Sequence, residues 1–96
     1  MSTPLFTPAA RSDLSSIWDF TAERWDAAQA DTYVHELVAA AQRVAVQPER
    51  GHPADHIRPG YRRYSIGSHL LFYLVAEGGV TIVRILHQRM DPTRHL

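Results

Sequence analysis

A chain of 96 residues is long enough for one domain with one hydrophobic core, and 45% apolar with 21% charged residues is typical of a globular protein. The absence of cysteine excludes disulfides and thiolate metal sites. Ten arginines balance ten acidic residues and lysine is absent, so the net charge is zero and no global field attracts the chain to nucleic acid.

Two amphipathic helices are predicted in the first half of the chain, after a short extended segment at residues 5–6. Thr7 is a suitable N-cap for the first helix, and Pro8 suits its first turn. The apolar stripe of this helix consists of Ala10, Leu14, Ile17, Trp18, Thr21 and Trp25. Asp26 predicts the N-cap of the second helix, which ends before Pro48. Because almost no loop separates them, the two helices should form an antiparallel hairpin.

From Tyr61 onwards the apolar pattern changes to that of β-strands. The preceding residues 48–60 hold three prolines and two glycines, which predicts a loop. Three strands are expected after it, separated by two-residue turns at Gly67-Ser68 and Gly78-Gly79: Tyr61–Ile66, His69–Ala76 and residues 80–86. Such a meander needs a cover on one face, and the helical hairpin is the available one. The predicted fold class is therefore α+β, a single domain over residues 1–96 with an N-terminal helical hairpin packed on a small antiparallel sheet. This sheet consists of the three-stranded meander, to which the extended segment at residues 5–6 could add a short N-terminal strand.

The chain shows no recognisable catalytic or metal-binding motif. Ser65 and Ser68 lack the glycine-flanked turn of a serine nucleophile. His52 and His56 have a spacing that would chelate a metal on a helix, but they lie in a loop broken by prolines. We therefore predict no catalytic residue, no metal and no cofactor. The longest apolar run, residues 70–76, is too short to cross a bilayer and no signal-peptide pattern is present, so we expect a cytoplasmic protein without a membrane partner.

Arginines on the predicted strands, together with one aromatic residue, are candidates for binding a partner. Arg62 and Arg63 are adjacent on one strand and should point to opposite faces. Arg84 interrupts an apolar strand, so its charge must reach the rim of the sheet, pair with a carboxylate or face a partner. An internal salt bridge to an acid on a helix and a partner-facing role are the two interpretations that we compare. Phe20 lies off the apolar stripe of the first helix, which makes it a candidate for an exposed contact. The two tryptophans of that helix are expected in core or hairpin packing.

Segments in order along nearly the whole chain carry a family resemblance. They are FTPAARSDL and IWDFTAERW at the first helix, IRPGYRRYSIGSH at the loop and first meander strand, and FY and VRILHQRMD at the following strands and tail. Together they resemble the ParE toxins of the RelE/ParE superfamily. The resemblance implies a helix–helix–meander fold and an antitoxin of the ParD kind that neutralises the toxin by binding it. It also implies DNA gyrase as the target, inhibited by binding rather than by catalysis.

The resemblance suggests where the antitoxin binds. An amphipathic antitoxin segment would lie in a groove between the hairpin and the sheet, and a strand of it could extend a free sheet edge. Phe20 and Tyr64 are the expected apolar anchors, and Arg62, Arg63 and Arg84 are expected to pair with acidic side chains. No specific binding of nucleic acid by the toxin alone is expected.

The tail after the last strand is locally cationic and is predicted to face the target. Its candidate residues are His87, Arg89, Met90, Arg94 and His95.

Two alternatives to gyrase inhibition stay open. The second branch of the superfamily consists of RelE-like ribosome-dependent mRNA endonucleases. The regions of this chain that broadly match the sites of that branch contain Arg62, Arg63, Arg84 and His87. The zero net charge, the absence of lysine and the lack of a tyrosine after His87 argue against ribosome binding and cleavage. The other alternative is a family member that binds an antitoxin but has lost its toxicity.

Overall fold

Two helices lie against one face of a five-stranded sheet in the computed structural model, which describes residues 3–96. The elements in chain order are β1 (Leu5–Phe6), α1 (Pro8–Arg24), α2 (Ala27–Val46), β2 (His52–Pro53), β3 (Tyr61–Ile66), β4 (His69–Ala76) and β5 (Gly79–His87), with 3₁₀ turns at Pro48–Arg50 and Pro92–Arg94. The sheet order is β1-β5-β4-β3-β2, with β1 parallel to β5 and the other neighbours antiparallel. The predicted α+β class is confirmed, but the sheet is mixed and has more strands than the sequence indicated. No helix within residues 3–96 is long and apolar enough to cross a membrane.

Both helices begin at the predicted caps. The Thr7 side chain accepts a hydrogen bond from the Ala10 amide at 3.0 Å, and the Asp26 side chain accepts one from the Gln29 amide at 2.8 Å. Each bond satisfies an amide that the first helical turn leaves free. Because α1 ends at Arg24 and α2 starts after Asp26, the connection is only two residues long and the helices form the expected hairpin.

The first turn between strands lies at the predicted glycine, and the second is shifted by one residue from its predicted position. Gly67 has φ +58° in the β3–β4 turn, as the first position of a type II′ turn requires. The second turn is formed by Glu77 and Gly78 instead of the predicted Gly78-Gly79. Gly79, at φ +128°, already pairs with Ala76 as the first residue of β5.

Strand β2 was not predicted, because it lies in the segment assigned to a loop. It has two residues, too few for any periodicity, and it exists only through its pairing with Arg62 and Arg63. Proline is tolerated there because β2 is an edge strand. The Tyr73 hydroxyl fixes the preceding turn by donating to the Pro48 carbonyl at 2.6 Å and accepting from the Gly51 amide at 3.0 Å.

The hydrophobic core lies between the hairpin and the sheet. Its buried members are Ala10, Ile17, Leu37, Ala40, Ala41, Val44, Ala45, Leu71, Tyr73, Val80, Ile82 and Ile85. Trp18 is half-buried and its indole N–H donates to Asp31 at 2.8 Å, which ties the two helices together. The prediction that Trp25 packs in the core or hairpin is wrong, since its side chain is 67% exposed. Helix α1 ends at Arg24, one residue before Trp25, so the Trp25 side chain does not continue the apolar stripe of the helix.

One strand pairing and two side-chain hydrogen bonds cover the outer edge of β5. Strand β1 pairs with Thr81 and Ile82. Beyond it the Thr7 hydroxyl donates to the Val83 carbonyl at 2.7 Å, and the Asp13 carboxylate accepts from the Ile85 amide at 2.9 Å. An unpaired edge would be a template for association with other strands, and these contacts occupy it.

Candidate binding surfaces

Arg84 is held inside the fold by Asp13 of α1. Its Nε and Nη2 atoms donate to the two carboxylate oxygens at 2.8 Å each, and Nη1 donates to the His95 carbonyl at 3.2 Å. The two side chains are only 22% and 14% exposed. The hydrogen bond to Asp13 raises the pKa of the guanidinium, so it stays charged. Of the two alternatives for Arg84, the structure forms the internal pair, and a partner's carboxylate would have to displace Asp13.

Arg62 and Arg63 differ in burial, as the predicted alternation requires. Arg62 is half-buried and donates from Nη2 to the Gly51 carbonyl at 2.6 Å. It lines a hollow of about 370 Å³ together with Glu49 and Asp55. Arg63 is exposed. Only Arg63 therefore presents its side chain fully to solvent.

The outer edge of β3 is open next to these arginines. Strand β2 covers only Arg62 and Arg63, so residues 64–66 have no strand neighbour on that side within residues 3–96. Tyr64 is half-buried against the core, and the guanidinium carbon of Arg43 lies 6.0 Å from the centre of its ring. The region formed by Arg62, Arg63 and residues 64–66 is called the β3-edge surface below.

A second surface is a cleft of about 550 Å³ at the turn between the helices, called the hairpin-tip cleft below. Its lining residues are Phe20, Thr21, Arg24, Trp25, Gln29, Tyr33, Ser68, His69, His87, Gln88 and Arg89. Phe20 is 65% exposed, so the prediction of an exposed aromatic side chain at this position is confirmed. The cleft joins Phe20, predicted to bind the antitoxin, with His87 and Arg89, predicted to face the target.

Tyr33 fixes the floor of the cleft by linking α2 to the β3–β4 turn. Its hydroxyl accepts from the Ser68 amide at 3.1 Å and lies 2.6 Å from Nδ1 of His69. Burial raises the pKa of Tyr33. Because the hydroxyl oxygen already accepts from the Ser68 amide, its own hydrogen is directed to Nδ1 of His69. A side chain at position 67 would collide with this ring, because a Cβ on Gly67 would lie 2.7 Å from the Tyr33 hydroxyl.

His69 and His87 are cross-strand neighbours, with ring centres 5.3 Å apart in an edge-to-face arrangement. Burial lowers the pKa of His69 to about 4, assisted by His87 and opposed by Asp13, so the ring is neutral at pH 7. Nδ1 of His87 accepts from the Arg89 amide at 3.1 Å. Because both Nδ1 atoms accept hydrogen bonds, the ring nitrogen of each histidine that carries a hydrogen is Nε2. Donors of this kind suit an anion rather than a metal, and within residues 3–96 no three His, Asp or Glu side chains converge as a metal site.

Comparison with known proteins identifies the family. A family model described as "ParE toxin of type II toxin-antitoxin system, parDE" matches residues 5–92. The chain belongs to the ParE toxin family. Toxin ParE1 of Mycobacterium tuberculosis, in strains CDC 1551 / Oshkosh and H37Rv, is 52% identical over 93 residues, which cover 96% of this chain and 95% of the relative. Toxin ParE1 of Caulobacter vibrioides is 42% identical over 87 residues, which cover 91% of this chain and 90% of the relative.

A solved structure shows the same fold. A chain of the chromosomal ParDE TA system from P. aeruginosa superimposes with a TM-score of 0.79 at 20% identity, covering 91% of this chain and 96% of that chain. The resemblance to ParE toxins that the sequence carries is thereby confirmed, and the chain is a toxin of the type II toxin–antitoxin class.

The predicted target-facing residues of this ParE-type toxin do not form one surface. His87 and Arg89 line the hairpin-tip cleft, whereas Arg94 and His95 are exposed farther along the tail and do not line it. Met90 is 39% exposed. The tail is ordered by Asp91, whose side chain accepts from the Thr93 amide at 3.0 Å, and by the contact of His95 with Arg84.

Eight of the eleven residues that line the cleft were not among the candidates from the sequence, and four of these eight matter for binding. Arg24, Trp25, Tyr33 and His69 lie in different elements, and only the fold brings them together. The signals available were weak: Arg24 and Trp25 stand at a helix end, and His69 follows a tight turn.

Proposed function

We propose that this ParE-type toxin inhibits DNA gyrase by binding it, and that a ParD-like antitoxin neutralises the toxin. The observation that carries the proposal is the match of residues 5–92 to a toxin family named for parDE systems, supported by relatives named Toxin ParE1.

Inhibition by binding, rather than RNA cleavage, is favoured by the positions of the residues that a nuclease would need. Arg84 is engaged by Asp13, and Arg62 donates to the Gly51 carbonyl beside its own hollow. His87 lies in the hairpin-tip cleft, which neither arginine lines. These three residues do not line a common cleft. The zero net charge also gives no overall electrostatic attraction to the ribosome.

The β3-edge surface is the proposed site of the antitoxin. An extended antitoxin segment would pair with the open edge at residues 64–66, and an acidic side chain of that segment would bind the exposed Arg63. Tyr64 supplies apolar area beside that edge. Arg84 contributes by holding β5 to α1, because its donors are already occupied. Phe20 lies outside this surface, in the hairpin-tip cleft.

The decisive experiment measures two activities of the same purified toxin. Gyrase is assayed by supercoiling of relaxed plasmid, with linear cleaved DNA scored on the same gel, and mRNA cleavage is assayed on programmed ribosomes. We expect loss of supercoiling, accumulation of cleaved DNA and intact mRNA. Cut mRNA with unaffected gyrase would assign the chain to the nuclease branch instead. Inactivity in both assays, with the antitoxin still bound, would point to a member without toxicity.

The antitoxin surface is tested by the substitution Arg63→Glu. Repulsion of an acidic segment at this exposed position should weaken antitoxin binding by about tenfold or more, as charge reversal at an interface commonly does. The matched control is Arg11→Glu, an exposed position on α1 outside the β3-edge surface. Affinity is measured by isothermal titration with the purified antitoxin, and equal affinities for the two variants would contradict the proposed surface.

A further inference from the structure

The hairpin-tip cleft is positively charged although the protein is neutral. Of the eleven described residues that line it, Arg24 and Arg89 are cations and none is a carboxylate. The chain as a whole has ten acidic residues for its ten arginines. The two arginines therefore attract a negatively charged group to the cleft, although the zero net charge of the whole molecule gives no long-range attraction.

The remaining polar groups of the cleft are suited to the same kind of ligand. His69 and His87 carry their hydrogens on Nε2 because their Nδ1 atoms accept hydrogen bonds from Tyr33 and Arg89. Arginine forks and imidazole N–H groups together bind carboxylates well, since charge-assisted bonds are stronger than neutral ones.

Two aromatic side chains stand exposed beside these donors. Phe20 is 65% exposed and Trp25 is 67% exposed, and the Arg24 guanidinium carbon lies 6.0 Å from the centre of the Trp25 ring. Tryptophan and arginine are the side chains most enriched at the energetic centres of protein interfaces. Large exposed aromatic side chains close together are typical of a surface that a partner covers.

We infer that the hairpin-tip cleft is the surface that binds the target, and that its ligand is an acidic segment of a gyrase subunit with an apolar side chain among its carboxylates. The inference rests on the proposed inhibition of gyrase. Arg24 and Arg89 bind the carboxylates, while Phe20 and Trp25 cover the apolar side chain.

The position of the cleft separates this function from antitoxin binding. The residues lining the cleft include neither Arg62 nor Arg63, nor any of residues 64–66. A protein segment is favoured over a nucleic acid because two arginines in a neutral molecule supply little of the cationic surface that phosphate backbones require.

Hydrogen bonds within the protein connect the elements that form the floor of the cleft. Tyr33 connects α2 to Ser68 and His69, and the Gln88 amide donates to the Ser68 carbonyl at 2.9 Å. A preformed site avoids the entropic cost of ordering loops on binding. The exposed side chains of Arg24, Arg89, Phe20 and Trp25 are the ones that a partner would fix.

The test compares charge-reversal variants of the full chain. Arg24→Glu and Arg89→Glu, singly and combined, are compared with Arg11→Glu, which makes the same charge change on α1 outside the cleft. Each protein is titrated against gyrase holoenzyme in the supercoiling assay. Thermal unfolding and antitoxin affinity of each variant are measured in parallel, to exclude misfolding and damage to the β3-edge surface. Trp25→Ala is measured in the same way, because it removes the aromatic contact without changing charge.

We expect the double variant to need at least about tenfold more toxin for half-maximal inhibition, with unchanged antitoxin affinity and unfolding temperature. Trp25→Ala should also weaken inhibition, and Arg11→Glu should leave it unchanged. An active wild type whose cleft variants inhibit equally well would overturn the inference and leave the proposed function standing. A wild type without effect on gyrase would overturn both.

Two further outcomes would assign the cleft to another ligand. Loss of antitoxin binding with full gyrase inhibition would make it an antitoxin site. Nucleic-acid binding is tested by fluorescence anisotropy with labelled single- and double-stranded oligodeoxynucleotides. DNA binding by the wild type that the double variant loses would make the cleft a nucleic-acid site, and either result contradicts the inference.

Discussion

Asp13 satisfies three donors at once, from Nε and Nη2 of Arg84 and from the Ile85 amide. Asp13→Ala leaves a largely buried guanidinium and a strand amide without their acceptor. We expect the free energy of unfolding to fall by about 2–3 kcal/mol, the usual effect of breaking a partly buried ion pair. Urea denaturation followed by circular dichroism measures it. Asp19→Ala, at an exposed position on the same helix, is the control and should change stability little.

His69 makes the stability of the protein depend on pH. Its pKa in the folded protein is about 4, mainly because burial disfavours the charged ring, whereas its ordinary value is 6.5. Between these values the unfolded chain binds more protons, so the free energy of unfolding is highest above pH 6.5 and falls as the pH drops towards 4. His69 is partly exposed, and solvent screening limits its contribution to about 1 kcal/mol.

The pH effect is measured by urea denaturation at pH 7.5 and pH 5.0. His69→Gln should lose less stability than the wild type over this interval. His35→Gln, at an exposed position on α2, should behave like the wild type. Equal losses in all three proteins would mean that His69 is not the group responsible.

Thr7 joins two elements, because it caps α1 and also bonds to the outer edge of β5. Its side chain accepts from the Ala10 amide and donates to the Val83 carbonyl. Thr7→Val keeps the shape but removes both bonds, so we expect a loss of about 1–2 kcal/mol in thermal or urea unfolding. Thr32→Val removes only a bond to the Ala28 carbonyl on an exposed face of α2 and should cost clearly less. Equal costs would show that the cap and edge contacts add nothing.

Elements defined by neighbouring residues could be predicted from the sequence, and those defined by distant partners could not. The starts of both helices follow from Thr7 and Asp26, whose side chains bond to amides three residues away. Strand β2 depends on pairing with Arg62 and Arg63, which no local pattern specifies. The hairpin-tip cleft combines four separate segments, so its membership required the fold, although Phe20, His87 and Arg89 had been singled out individually.

The tail connects to the rest of the molecule through one main contact, between the His95 carbonyl and Arg84. Deleting residues 90–96 removes that contact but leaves the core and the hairpin-tip cleft intact. We expect a folded protein whose inhibition of gyrase is at most about three- to tenfold weaker, because Met90, Arg94 and His95 do not line the hairpin-tip cleft and would contact only a part of the target that extends beyond it. Circular dichroism checks the fold and the supercoiling assay checks inhibition. Full inhibition by the shortened chain would remove the tail from the target surface.

The position of β5 between β1 and β4 determines when during synthesis this toxin becomes complete. Strand β5 is the last strand in chain order, yet β1 has no partner without it and the buried Val80, Ile82 and Ile85 of the core belong to it. On the ribosome, the helical hairpin is made first and has only part of the surface that it must bury. The native sheet closes only after residue 87 has emerged, by contacts between the two ends of the chain. A nascent toxin therefore lacks its native sheet and part of its core until β5 has been made.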